Sequence, residues 1–207
     1  VIRRGSGSER GGVDLVFESC TKYLGGHNDL LAGVLLGKKE LIDEILALHK
    51  TIGGVVDPMA CYLLIRGLKT YDVRMRRLND NGLRMAEYLE NHSRVKRVYY
   101  PGLASHPHNE IAKRDMNGFG AVVTFEMDAD LEGTQRFMNQ LKLFRIGPSF
   151  GGAESLITHP ATVSYYDCTR EERIALGQLD NLIRLAVGLE EIEALIEDLE
   201  QAFEVSG

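Results

Sequence analysis

The chain has 207 residues, of which 26% are charged and 44% hydrophobic, and its formal net charge is −6. These values are typical of a globular protein with a sizeable core, and the acidic balance argues against a nucleic-acid partner. No apolar run reaches the length of about eighteen residues that a membrane span needs, and the first twelve residues contain no signal-peptide core. Three scattered cysteines without a C-x-x-C pair fit a reducing compartment. We therefore expect a cytoplasmic protein with no membrane partner.

The first third of the chain alternates short apolar runs with helical patterns. Residues 1–12 are polar and glycine-rich, which indicates a loop. Residues 13–17 predict a short buried strand and residues 30–37 a second strand. The spacing of apolar residues over 38–52 predicts an amphipathic helix ended by a glycine pair. Asp57 and Pro58 then predict a capped helix start.

Residues 71–92 predict one long, more strongly charged helix. We expect its arginines to point outward and Gly82 to be its weak point. The residues expected to face inward are Val73, Met75, Leu78, Leu83, Met85 and Leu89.

The rest of the chain predicts alternating strands and helices, a pattern typical of an α/β domain. The predicted strands cover residues 95–100, 120–127, 143–146, 157–164 and 182–187. The predicted helices cover residues 111–116, 131–141, 170–176 and 190–203. We place a domain boundary near Tyr71, which divides the chain into residues 1–71 and 72–207.

A candidate site begins where the first predicted strand ends. The loop carries Ser19, Thr21 and Lys22, followed by a Gly-Gly pair. A lysine amine can condense with the carbonyl group of a cofactor, and nearby hydroxyls can donate hydrogen bonds to a phosphate. A lysine after a strand is also often a solvated surface charge, and Ser and Thr are ordinary turn residues. The loop taken without its neighbours leaves both interpretations open.

Two residues in the second half are candidates for binding a substrate. Arg184 lies within the apolar run 182–187, where it could meet a carboxylate or simply point outward to water. Ser149 lies in a glycine-rich loop and could be an ordinary turn residue. We treat four histidines as loop residues and expect no metal site, since no acidic residue joins them at ligand spacing. They are His27, His106, His108 and His159.

The segment SCTKYLGGH resembles the S-x-T-K-[YF]-x-x-G-H signature of the pyridoxal phosphate (PLP) enzymes of cysteine and methionine metabolism. This family includes cystathionine γ-synthase, cystathionine γ-lyase and methionine γ-lyase. GPSFGGAESLITHPA and NLIRLAVGLEE are similar to two further family segments, in the same order. The resemblance implies that Lys22 is the catalytic lysine that holds PLP covalently. It also implies that Ser19 and Thr21 contact the cofactor phosphate.

The same resemblance implies roles for the two residues of the second half. Arg184 matches the arginine of the family's R-x-S-x-G-x-E segment, which binds the substrate carboxylate, and Ala186 replaces the usual serine. Ser149 matches a serine that lines the substrate pocket. Pro148 replaces a glutamate that is common in bacterial synthases and γ-lyases.

The implied fold is the C-terminal part of a fold-type I PLP-dependent transferase. Residues 1–71 would end the large PLP-binding domain, and residues 72–207 would form the small α/β domain. In the family, other cofactor contacts precede the lysine, and two phosphate contacts come from a neighbouring subunit. We therefore expect this chain to be part of a longer polypeptide, not competent alone, that forms a homotetramer built as a dimer of dimers.

The implied activity is γ-replacement on an activated homoserine with cysteine, as in cystathionine γ-synthase. The segments GPSFGG, GGHND and YYPGL favour the plant-type synthases within the family. One alternative is a γ-lyase that degrades cystathionine or methionine. Another is a non-catalytic truncated module that acts only in assembly. In the first two cases the expected substrates are amino acids, which are small molecules.

Overall fold

The computed structural model describes residues 13–205. Strands β1 (Leu15–Ser19) and β2 (Gly33–Gly37) pair antiparallel, with Phe17 opposite Leu35. Both predicted strands are confirmed, but the prediction that the first is buried is wrong. Phe17 is 74% exposed within the described part of the chain. A π-helical turn, Cys20–Leu24, follows β1.

Helices α1 (Lys39–Ile52) and α2 (Pro58–Leu68) follow the strands. Helix α1 ends as predicted at Gly53, whose φ of 80° is the left-handed conformation that favours glycine. The predicted start of α2 is also confirmed, since the Asp57 carboxylate accepts hydrogen bonds from the amides of Met59 and Ala60. Helix α1 buries none of its residues within the described part of the chain.

Helix α3 (Tyr71–Glu90) is the predicted long helix. Two details of the prediction are wrong, since Val73 is 72% exposed and Arg74 is buried. Gly82 is also not a weak point, because the helix continues through it without a break. A β-carbon at Gly82 would lie 2.4 Å from the carbonyl oxygen of Gly120. This glycine therefore permits close packing of α3 against the segment that precedes the strand starting at Val122.

We expect Gly82→Ala to destabilise the protein even though alanine is the better helix former. The added methyl group would meet a backbone carbonyl, and overpacking of this kind typically costs about 1–3 kcal/mol. Urea unfolding monitored by circular dichroism measures the loss. Asp80→Ala, at an exposed position of the same helix, should change stability by less than about 0.5 kcal/mol. A Gly82→Ala protein as stable as the parent would show that the close approach is unimportant.

The second sheet has five strands in the order β3-β4-β7-β6-β5. Its strands are β3 (Val95–Tyr99), β4 (Val122–Met127), β5 (Arg145–Ile146), β6 (Leu156–Thr158) and β7 (Leu182–Ala186). Only β5 and β6 pair in parallel, and the other neighbours are antiparallel. The remaining helices are α4 (Asn109–Asp115), α5 (Leu131–Gln140), α6 (Pro160–Val163), α7 (Arg170–Ala175) and α8 (Ile192–Val205).

The main core lies between this sheet and helices α3, α5 and α8. Phe125 of β4 meets Phe137 of α5 edge-on, and Phe137 stacks on Phe203 of α8. The mixed sheet with its helices confirms the predicted α/β class. The predicted strand at 157–164 is wrong in its second half, because β6 ends at Thr158 and Pro160 begins α6.

The predicted domain boundary near Tyr71 stays a prediction. Tyr71 is the first residue of α3. A small buried cluster lies before it, formed by Cys20, Leu30 and Ala60. No helix within residues 13–205 has the length and apolar character required to span a membrane.

Candidate active site

Lys22 lies in the π-helical turn between β1 and β2, and the backbone is kinked at this residue. Its φ of −94° and ψ of −126° are not helical, although its neighbours are. The amides of Cys20 and Thr21 both donate to the carbonyl oxygen of Ala32, at 2.9 and 3.2 Å. The amide of Gly26 donates to the carbonyl oxygen of Lys22 at 2.8 Å. These bonds attach the kinked turn, here called the lysine turn, to the segment that leads into β2.

The lysine side chain reaches a loop that is distant in sequence. Lys22 Nζ donates a hydrogen bond to Ser149 Oγ at 3.0 Å, and the two residues are 127 positions apart. Nζ also lies 4.7 Å from the centre of the Phe150 ring. The amine is therefore held between a hydroxyl and an aromatic face rather than extended into bulk water.

Arg184 reaches the same loop from the sheet. Its Nη2 donates to the carbonyl oxygens of Pro148 and Ser149, at 2.6 and 3.1 Å, and to Thr158 Oγ1 at 3.3 Å. Its Cζ lies 5.8 Å from the centre of the Phe150 ring. The structure thus brings Lys22, Ser149 and Arg184 together around residues 148–150, here called the substrate loop.

The Arg184 guanidinium retains an unused hydrogen-bond donor. Its Nε is buried and has no hydrogen-bond partner among the described residues. Burial lowers the pKa of Arg184, but an arginine stays protonated in proteins. A buried donor without an acceptor costs free energy, and a carboxylate is the acceptor that a guanidinium fits best. The geometry suits the binding of a carboxylate.

The two hydroxyl residues before the lysine differ in their contacts. Thr21 Oγ1 accepts from the amide of Ala32 at 3.0 Å and donates to the Ala32 carbonyl oxygen at 3.3 Å. Within residues 13–205 the Ser19 hydroxyl has no hydrogen-bond partner. Ser19 is thus free to donate to a phosphate. To donate to a phosphate, Thr21 would have to give up its 3.3 Å bond to the Ala32 carbonyl oxygen. It could keep the 3.0 Å bond that it accepts from the Ala32 amide.

The lysine turn is also joined to the main sheet through Tyr23, a contact that the sequence did not indicate. Tyr23 Oη accepts a hydrogen bond from the amide of Ala121 at 3.1 Å, just before β4. Its ring meets that of Phe150 edge-on, with the ring centres 5.9 Å apart. Burial raises the pKa of Tyr23, so this phenol stays neutral and its contacts stay intact at physiological pH.

A second group that sequence reasoning missed supports the end of β7. The Glu190 carboxylate accepts from the amide and the hydroxyl of Ser155, at 2.7 and 2.9 Å. Ser155 Oγ in turn accepts from the amide of Gly188 at 2.8 Å. Glu190 is the last residue of the RLAVGLE segment. Its match to the glutamate of the family's R-x-S-x-G-x-E segment is the sequence signal by which it could have been found. It joins the strand that carries Arg184 to the start of β6.

Metal binding finds no support in the described part of the chain. No group of three or more His, Cys, Asp or Glu side chains in residues 13–205 is arranged to hold a metal ion. His159 is buried before α6, where its Nε2 lies 2.8 Å from the carbonyl oxygen of Asp180. Burial lowers the pKa of His159, which favours the neutral ring.

Comparison with known proteins gives the family. The model of the Cys/Met metabolism PLP-dependent enzyme family matches residues 10–204. Chloroplastic cystathionine γ-synthase 1 of Arabidopsis thaliana is 51% identical over 193 residues, which are 93% of this chain and 34% of the relative. L-methionine γ-lyase of Fusobacterium nucleatum subsp. polymorphum is 45% identical over 195 residues, which are 93% of this chain and 49% of the relative.

A solved structure shows the same fold. Cystathionine γ-synthase from Xanthomonas oryzae pv. oryzae, in complex with aminoacrylate and cysteine, has a TM-score of 0.90 and 38% sequence identity. The match covers 94% of this chain and 51% of that chain. The chain thus spans about a third to a half of the proteins that it matches. The predicted fold-type I class and the predicted cofactor, PLP, are both confirmed, and the chain belongs to the Cys/Met metabolism family of PLP-dependent enzymes.

Proposed function

We propose that the complete protein catalyses γ-replacement on an activated homoserine with cysteine, as cystathionine γ-synthase does. The observation that carries this proposal is the hydrogen bond from Lys22 Nζ to Ser149 Oγ, at 3.0 Å. Through this bond Lys22, which we assign as the family's lysine, contacts the loop that Arg184 also contacts. An amine, a hydroxyl and a guanidinium that meet at one loop form a site that suits an amino-acid substrate.

The residues present fit the cofactor and its substrate. The Lys22 amine is partly buried, the Ser19 hydroxyl has no partner within residues 13–205, and Arg184 Nε is a buried donor without an acceptor in the same part of the chain. We assign Lys22 to the covalent attachment of PLP and Ser19 and Thr21 to its phosphate. Ser149 and Arg184 are assigned to the substrate. When bound, PLP withdraws electrons from the α-carbon of an amino acid.

The chain's own residues would then have separate roles in the reaction. Arg184 binds the α-carboxylate of the substrate through its planar fork, and Ser149 orients the substrate. The Lys22 amine removes the α-proton and then a proton from the β-carbon, which allows the γ-substituent to leave with its bonding electron pair. After the thiol adds at the γ-carbon, the amine returns protons to the β-carbon and the α-carbon. The Phe150 ring, which lies 4.7 Å from Nζ, shields the amine from water on one side.

Two observations bear on the choice between synthase and lyase. Pro148 stands where a glutamate is common in bacterial synthases and γ-lyases, and it contributes its carbonyl oxygen to Arg184 at 2.6 Å. This favours the plant-type synthase, whose Arabidopsis member is 51% identical. The 45% identity to a methionine γ-lyase keeps the lyase as the second candidate.

The test is a product assay on the full-length protein loaded with PLP. The substrates are the phosphate, succinate and acetate esters of homoserine with cysteine, and then cystathionine or methionine alone. A synthase should form cystathionine at least about tenfold faster than it releases 2-oxobutyrate, which corresponds to about 1.4 kcal/mol in the barrier. Faster release of 2-oxobutyrate would establish the lyase. Neither product, with no visible absorbance from bound cofactor, would indicate a non-catalytic assembly module and would overturn the proposal.

We also propose a homotetramer, arranged as a dimer of dimers, for the complete protein. The support is the resemblance, and exposed apolar side chains on the first part of the chain are compatible with contact to a second subunit or to the rest of a longer polypeptide. Phe17 is 74% and Leu31 84% exposed, and α1 buries no residue in the described part. Surfaces of this kind are usually covered by further protein.

A cytoplasmic location stays a prediction.

A further inference from the structure

Arg74 is a buried arginine whose acceptors are all uncharged. Its side chain is in the first turn of α3, and the residue is 5% exposed. Nε donates to Thr70 Oγ1 at 3.1 Å, and Nη2 donates to the carbonyl oxygen of Gly67 at 2.8 Å. Within residues 13–205 no carboxylate forms an ion pair with it. A buried charge of this kind is costly unless its hydrogen bonds serve a purpose.

The other acceptors of Arg74 belong to the lysine turn. Nη1 donates to the carbonyl oxygen of Tyr23 at 3.0 Å, and Nη2 lies 3.4 Å from that of Leu24. The backbone amides after the turn are used elsewhere, since Gly25 donates to Cys20 and Gly26 to Lys22. Arg74 therefore supplies the donors for the two carbonyl groups that directly follow Lys22. A carbonyl group left without a donor would destabilise this turn.

The glycines around Arg74 show how closely the lysine turn packs on the guanidinium. Gly26 has a φ of 73°, and a β-carbon there would lie 1.8 Å from Arg74 Nη1. A β-carbon at Gly67 would lie 2.2 Å from the carbonyl oxygen of Gly25. A side chain at Gly26 would separate the lysine turn from Arg74, and a side chain at Gly67 would separate it from α2. The absence of side chains lets the turn rest directly on the guanidinium.

The backbone after Lys22 is also approached from its other side by Gly151, which directly follows the substrate loop. A β-carbon at Gly151 would lie 2.8 Å from the backbone nitrogen of Tyr23. Tyr23 is thus held by Arg74 at its carbonyl group and approached by Gly151 at its nitrogen. A displacement of Tyr23 would move the adjoining Lys22 backbone and, with it, the amine that contacts Ser149.

We infer that Arg74 is a positioning residue, which fixes the kinked backbone of Lys22 so that its amine meets the substrate loop. The inference rests on the proposed function, in which Lys22 holds the cofactor and transfers protons. A guanidinium is suited to this role, because its planar fork can donate to several carbonyl groups at once, whereas an ammonium group cannot reach them all. Misplacement of a reacting group by about 1 Å can cost about a hundredfold in rate.

The test compares Arg74→Gln and Arg74→Lys with Arg76→Gln in the full-length protein loaded with PLP. Arg76 lies on the same helix, is exposed, and pairs with Asp72 at 2.8 Å, so it is a matched control. Borohydride reduction followed by peptide mapping gives the fraction of Lys22 that carries cofactor. We expect both Arg74 variants to lower kcat per trapped site at least about tenfold, with KM changed less than about threefold. The Arg76 variant should match the parent.

The outcomes separate this inference from the proposed function. If borohydride does not modify Lys22 in the parent protein, the proposed function fails, and this inference fails with it. If the parent is modified and Arg74→Gln keeps the parent kcat per trapped site while melting at a lower temperature, Arg74 is merely structural and the inference alone is overturned. If Arg74→Gln does not fold, Thr70→Val decides, because it leaves the guanidinium in place and removes the acceptor of Nε together with the hydroxyl's own bond to the Gly67 carbonyl oxygen, 3.3 Å long. A drop of about twofold or more in kcat per trapped site supports the inference, and no drop overturns it.

Discussion

Lys22→Ala should eliminate the visible absorbance of covalently bound cofactor and lower kcat by at least about 10³-fold. Its amine is proposed to act twice, in covalent attachment and in proton transfer, and proton transfer alone typically contributes about 10²–10⁴-fold. No other lysine is hydrogen-bonded to the substrate loop among residues 13–205, whereas Lys22 Nζ lies 3.0 Å from Ser149 Oγ. Absorbance spectra and steady-state assays of the full-length protein measure the two effects.

Two controls make this result specific. Lys22→Arg keeps a positive charge but cannot form the covalent link, so it should lose activity to the same extent. Lys39→Ala removes an exposed lysine that pairs with Asp43 and should behave as the parent. Turnover at the parental rate in Lys22→Ala would refute the assignment of the lysine.

Arg184→Gln should raise KM for the amino-acid substrate about a hundredfold or more. Hydrogen bonds to charged groups contribute about 1.5–3 kcal/mol each, and two such bonds to a carboxylate correspond to a large loss of affinity. The same change also removes donors to the carbonyl oxygens of Pro148 and Ser149. Some loss in kcat is therefore expected as well, because the substrate loop loses an anchor.

An amine that lacks the α-carboxylate separates the two contributions. The parent should bind this analogue much more weakly than the amino acid, and Arg184→Gln should bind both about equally. Arg97→Gln, at an exposed position on β3, is the matched control and should leave KM unchanged. If Arg184→Gln discriminates between the amino acid and the amine as the parent does, Arg184 does not bind the carboxylate.

The sequence predicted those features of the fold that depend on local patterns. Helix α1 ends at Gly53 and α2 begins after Asp57 as expected, because left-handed glycines and side-chain caps are specified within a few residues. The segment around Lys22 and that around Arg184 were selected by family resemblance, and the structure brings both to residues 148–150. The spacing of residues along the sequence did not predict that Lys22 and Arg184 both contact this loop.

The predictions that were wrong involve contacts between distant segments. Arg74 was expected to face water, yet it is buried because the carbonyl groups of Tyr23 and Leu24 offer it acceptors. The sequence predicts Gly82 as the weak point of α3, yet it is the place where α3 approaches Gly120. The pattern of residues 13–17 indicated a buried strand, but the described part of the chain leaves Phe17 exposed. Such outcomes depend on the neighbours that folding supplies, which periodicity does not encode.

Arg184 is paired on both sides within the five-stranded sheet, to Thr124 of β4 and Thr158 of β6. The proposed carboxylate anchor therefore belongs to an inner strand, whereas Pro148 and Ser149 lie in the connection between the short edge strand β5 and its neighbour β6. Inner strands tolerate little displacement, and connections accept sequence change readily. If Arg184 holds the amino acid as proposed, the exchange of a few residues of the connection would change the reaction outcome while the anchor stays the same fixed guanidinium.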